Sequence, residues 1–224
     1  MEGPKIPRTE ARYLNDEEAK QFLAALMIEP DIRIKTALML DLFTGARRGE
    51  LCGLSWPDID FEGGVIHIRR ASQHITGQGV VEVPTKNAGS VRAISVTPFV
   101  TDLLTDYRKW WIERRLLYGD AWQGEKERLF IQEDGKPIFP STINHWLRRF
   151  LEKNKLPPIS VHSLRHTFIT LQMAAGVDIR TLQARSGHAQ ASTLLNIYSH
   201  AIQSAQEKAA QALDRMLLPA AKQG

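Results

Sequence analysis

After the segment WPDIDFEGG the hydrophobic pattern of the chain switches from a helical period to a period of two. VIHIRRAS alternates, GVVEVP is short and β-branched, and VRAISV alternates again. Gly63, Gly64, Gly77, Gly79 and Gly89 mark the turns between these runs. The pattern predicts a three-stranded antiparallel sheet over roughly residues 65–96. Both flanks read as helices. LNDEEAKQFLAALM starts one, with Asn15 as N-cap, Glu18 closing a capping box, and Phe22, Leu23 and Leu26 as its apolar face. Pro30 ends it. DIRIKTALMLDLFTGA then predicts a mostly buried helix, and RRGELCGL continues helically after Gly45. A long helix is expected from about Pro98 to Leu117, with Trp110 and Trp111 in a core or groove. Helices dominate again from Ser141, with breaks at Pro157–Pro158, Gly176, Gly187 and Pro219. The fold class is therefore mainly α with a small three-stranded antiparallel β-sheet (α+β).

The 224 residues are 43% hydrophobic, enough for one large domain or two small ones. No apolar run approaches the roughly 20 residues that span a bilayer. MEGPKIPRTEAR has charge but no apolar core, so it does not read as a secretory signal. Cys52 is the single cysteine, which excludes an internal disulfide framework and a cysteine-based zinc cluster. These features favour an intracellular protein. Lys and Arg number 29 against 25 acids, a weak pull toward a polyanion. Residues 1–13 read as a basic, proline-containing linker that enters a domain.

Four distant segments carry the groups capable of chemistry. In TGARRGELCGLSW, Arg47 and Arg48 follow a glycine among apolar and small residues. On their own they read as solvated arginines, but arginine in such surroundings needs an anion. In VPTKNAGSVR, Lys86 sits in a turn between strands, a weak signal alone. In SVHSLRHTFIT, His162 and Arg165 share a helical face. His166 lies four residues after His162, yet Ser163 replaces the acid of a zinc-binding H-E-x-x-H pattern. A His–Arg pair suits a bound phosphate better than a metal. In SGHAQASTLLNIYSH, His188 follows Gly187 and is expected at a helix start, and Tyr198 and His200 come after it.

Taken together and in this order, the four boxes resemble the signature of the tyrosine recombinases, or phage-type integrases, over roughly residues 13–217. The resemblance matches Arg47, Lys86, His162, Arg165 and His188 to the family's catalytic groups and Tyr198 to its nucleophile. Glu50 matches an acid the family often keeps near its first arginine. One departure is Ser186, where the family often has leucine; it is expected to affect packing and not chemistry.

The resemblance implies a site-specific recombinase or integrase of a phage or conjugative transposon. Such an enzyme cuts and rejoins double-stranded DNA through a 3′-phosphotyrosine, with no metal, no ATP and no other cofactor. The rival readings are a type IB topoisomerase and a catalytically silent DNA-binding module. The resemblance also divides the chain: residues 1–13 as a linker remnant, 14–202 as the catalytic domain, and no room for an N-terminal core-binding domain. Residues 203–224 read as an Ala-rich amphipathic helix or tail, expected to dock on a neighbouring protomer in a tetramer on DNA. The expected setting is the cytoplasm, at the nucleoid, with no membrane partner.

Overall fold

The computed structural model describes residues 12–84, 90–124 and 127–188, together with 194, 213, 214 and 216. Helix α1 (Asp16–Met27) opens on the expected capping box: Asn15 Oδ1 accepts from the Glu18 amide at 2.9 Å and Glu18 Oε2 accepts from the Asn15 amide at 3.1 Å. Its Phe22 meets Phe150 edge-on, with ring centroids 5.2 Å apart. Helix α2 (Ile32–Thr44) is buried along nearly its whole length, as its run of apolar residues predicts. It packs against α1, α4 (Pro98–Tyr118), α5 (Pro140–Lys153) and α6 (Val161–Ala174), so it has no polar face to present. A short helix α3 (Arg48–Gly53) follows, and α7 (Ile179–Ser186) lies against α6. The long helix α4 carries Tyr107 and Trp111 into the core, where both rings contact Trp56.

The strands fall where the alternation put them, but they form two sheets instead of one. Strands β1 (Ile59–Asp60), β2 (Val65–Ile68) and β5 (Arg92–Ser95) make an antiparallel sheet in the order β1-β2-β5. Among the described residues, strands β3 (Arg70–Ile75) and β4 (Gly79–Pro84) pair with each other and with no third strand. The split occurs at Arg69. Arg69 and Arg70 both grip the buried Asp58, Arg69 at 3.1 Å, and this turns the chain away from β5. The β3–β4 hairpin then lies on α3, where a Cβ at Gly53 would stand 2.9 Å from the Arg70 carbonyl oxygen. Neither contact is visible in an alternating pattern.

The junction between α2 and α3 positions the site. Gly45 caps α2 with φ +56°, in the left-handed region. A Cβ there would come within 2.4 Å of Phe168 Cδ1 on α6. Both the backbone and the neighbour demand glycine. Gly45→Ala is expected to lower the unfolding free energy by about 1–3 kcal/mol, the cost of a left-handed non-glycine residue plus displacement of a core ring. Urea denaturation measures this, and an unchanged midpoint would contradict it.

Candidate active site

Arg47 stands at the N-cap of α3, half exposed, and is held from two sides. Its Nη1 bonds Glu50 Oε1 at 2.7 Å, and its Nη2 donates to the Gly187 carbonyl at 2.8 Å. Glu50 is buried and also accepts from Arg92 Nη2 at 2.8 Å. Arg92 in turn donates to the Arg185 carbonyl at 2.7 Å and the Ser90 carbonyl at 3.0 Å. One carboxylate thus joins α3, β5 and the end of α7. Gly187, at φ +68°, leaves no room for a side chain, since a Cβ would meet Arg92 Nη1 at 2.8 Å.

Helix α6 brings the second group. Ser160 caps it, accepting from the Ser163 amide, and His162 falls in its first turn. Arg165 is buried; its Nη1 donates to the Gly45 carbonyl at 2.5 Å and its Nη2 stands 3.3 Å from both ring nitrogens of His188. Arg47, Arg48, His162 and Arg165 line one cleft of about 630 Å³ with Asn144 and Ser160. Arg48 is exposed and also lines a neighbouring cleft of about 590 Å³ beside β3. Four of the expected residues, Arg47, His162, Arg165 and His188, are therefore brought together from three separate segments. Lys86, Tyr198 and His200 lie outside the described residues.

The family model of the phage integrase family matches residues 12–204. The chain belongs to that family. Among curated relatives it is similar to a XerC-like tyrosine recombinase of Caldanaerobacter subterraneus subsp. tengcongensis, 28% identical over 94% of this chain. It is also similar to the ICEBs1 integrase of Bacillus subtilis, 27% identical over 95% of this chain. The chain spans 56% of the length of each, just over half. Among solved structures, the Tn1549 transposon integrase in complex with circular intermediate DNA matches with a TM-score of 0.75 at 25% identity. That match covers 92% of this chain and 68% of the other. The fold is that of a tyrosine recombinase catalytic domain, mostly helical with small antiparallel sheets.

Electrostatics in this integrase-family cleft keep the histidines neutral near pH 7. Burial, reinforced by Arg165 and Arg47, lowers His188 to about 3. Burial, His162 and Arg165 lower His166 to about 4. His162 is lowered too, by desolvation first and then by Arg165 and Arg47. A neutral His162 can accept a proton, and a neutral His188 keeps one N–H to donate.

Two further side chains, Arg92 and Asp41, lie outside the residues singled out in the boxes, and Ser186 makes a polar contact besides its packing. Arg92 was read only as a strand residue. It pairs in register with Ile68, and it shares a strand face with the buried Ile94. A charge in the apolar phase of a strand is the signal that would have revealed it. Asp41 of α2 is fully buried with both carboxylate oxygens unbonded, and burial raises its carboxyl well above the usual range against the opposing pull of Arg165. Ser186, expected to matter for packing alone, places its hydroxyl 2.7 Å from His188 Nδ1. Gly187 is the C-cap of α7, and the helix start expected at His188 depends on the residues that follow it. The segment beyond His188 lies outside the described residues.

Burial raises the Glu50 carboxyl, but hydrogen bonds and charge from Arg92 and Arg47 outweigh it and hold it below its ordinary 4.5. Its contribution to stability is therefore present above pH 4.5 and is lost as the pH falls through the folded-state value. Glu50→Gln is expected to cost about 3–5 kcal/mol near pH 7, because it leaves Arg92 buried without a counter-charge. The gap between the two proteins should narrow below pH 4.5. Chemical denaturation across pH checks both; a gap that stays constant into acid would contradict the ion-pair assignment.

Proposed function

We propose that this chain is the catalytic part of a site-specific recombinase that cuts and rejoins double-stranded DNA through a 3′-phosphotyrosine on Tyr198. The observation that carries the reading is the single cleft shared by Arg47, His162 and Arg165, with His188 packed against Arg165. Each of these groups is cationic or a hydrogen-bond donor or acceptor suited to phosphate. Family membership supports the match of Lys86 and Tyr198 to the remaining groups.

Tyrosine ionises near pH 10, so roughly one phenol in 10³ is a phenolate at neutral pH, a cost of about 4 kcal/mol. In the proposed reaction Tyr198 Oη attacks phosphorus while its proton passes to neutral His162. The bond from phosphorus to the 5′-oxygen breaks, and the leaving oxygen takes a proton from the Lys86 ammonium. Charge gathers on the two non-bridging oxygens during attack. Arg47 and Arg165 neutralise it, and His188 donates a hydrogen bond to the same phosphate. Losing one preorganised donor of this kind typically costs ~10²–10³ in rate. The phosphotyrosine keeps the energy of the phosphodiester, so a 5′-hydroxyl from a second duplex can reverse the step onto a new partner.

Exchange between duplexes requires several active sites, and we read the working form as a tetramer on DNA that uses residues 203–224 for docking between protomers. The place of action is the cytoplasm, at the nucleoid. The Tn916 transposase of Enterococcus faecalis, 28% identical over 90% of this chain, and the ICEBs1 integrase support a mobile-element setting. A nicked suicide duplex carrying the recombination site tests the assignment. Wild type is expected to form a covalent protein–DNA adduct that maps to Tyr198. Tyr198→Phe should form none while still binding the duplex. An adduct that survives in Tyr198→Phe would overturn the reading.

A further inference from the structure

Ser186 is fully buried as the last residue of α7, and its Oγ lies 2.7 Å from His188 Nδ1. Its other contact is the Gln183 carbonyl at 3.4 Å, a long bond to an oxygen that already accepts the Gly187 amide at 2.9 Å. Among the described residues the hydroxyl proton therefore has one good acceptor within reach, the Nδ1 lone pair. Arg165 Nη2 is equidistant, at 3.3 Å, from Nδ1 and Nε2, so it lies over the ring and not along either lone pair. The in-plane bond directions of the two imidazole nitrogens diverge, so a hydroxyl bonded along Nδ1 does not also bond Nε2.

We propose that Ser186 is a positioning residue that holds His188 in the tautomer with its hydrogen on Nε2, ready to donate to the scissile phosphate. This rests on the recombinase reading of the cleft. A neutral imidazole has one N–H. Were that hydrogen on Nδ1, Nε2 would turn a lone pair toward a phosphate oxygen, and the contact would be repulsive. A leucine at position 186 bonds neither nitrogen and leaves the tautomer to the approaching phosphate. The serine hydroxyl settles it before DNA arrives. When the phosphate draws a second proton onto the ring, the same hydroxyl can turn and accept from Nδ1–H, so the support persists in both protonation states. Where a histidine ligates a metal, losing the partner on its second nitrogen typically costs roughly 10–100-fold in activity, and an effect at the lower end of that range is expected for His188.

The test combines ring nitrogen and carbon spectra of His188 in the DNA-free protein with adduct formation on the suicide duplex. In wild type the spectra should show the Nε2–H form. Ser186→Ala should shift the population toward the Nδ1–H form and slow adduct formation about tenfold, with duplex affinity unchanged. Ser186→Thr, which keeps a hydroxyl, should restore both. An unaltered tautomer in Ser186→Ala, whether the rate falls with melting temperature or stays constant, would overturn the proposal. If wild type forms no adduct at all, the recombinase reading fails; the spectra still decide what Ser186 does to the ring.

Discussion

The arrangement of the site depends on one buried carboxylate. Glu50 takes Arg47 on one oxygen and Arg92 on the other, with Glu50 and Arg92 both almost without solvent contact. A buried ion pair of this kind adds little net stability compared with an apolar substitute, but it penalises misplacement heavily. If either arginine shifts, a charge is stranded in a poorly solvated interior. Glu50 therefore fixes where Arg47 stands, and Arg92 carries that constraint to the carbonyls of Ser90 and Arg185. The strand β5, the short helix α3 and the end of α7 are locked at one point.

Two glycines let the backbone complete the lock. Gly45 turns the chain between α2 and α3, and its carbonyl receives Arg165. Gly187 ends α7, its carbonyl receives Arg47, and its lack of a side chain admits Arg92. Arg47 and Arg165 are each thus tied to a carbonyl at a left-handed turn, so part of their hydrogen-bonding capacity is spent on their own placement and the remainder can face the cleft. Preorganisation of this kind means that no reorganisation is required when charge develops on a bound phosphate. Burial first, and then the same cations, lower His162 and His188 and keep both neutral near pH 7.

What the sequence revealed was local. The Asn15–Glu18 box, the helix break at Gly187 and the alternation of the strands depend on neighbours a few residues away, and each reappears in the structure. The grouping of Arg47, His162, Arg165 and His188 was legible because four ordered boxes constrain one another more than any one constrains itself. The sheet partition was not legible, because it is set by Asp58 reaching across to Arg69 and Arg70 and by Gly53 admitting the backbone of β3. Arg92 and Ser186 escaped for the same reason. Their partners, Glu50 and His188, come from other elements or from beyond a turn, and periodicity carries no information about such meetings.

Convergence of Arg47 and Arg165 on one scissile phosphate is what the proposed chemistry requires. A structure of the Tyr198→Phe protein bound to its recombination-site duplex tests it most directly. One phosphate is expected in the cleft, with its two non-bridging oxygens accepting from the Arg47 and Arg165 guanidinium groups and one of them also from His188. A duplex bound with every phosphate beyond hydrogen-bonding reach of either arginine would contradict it.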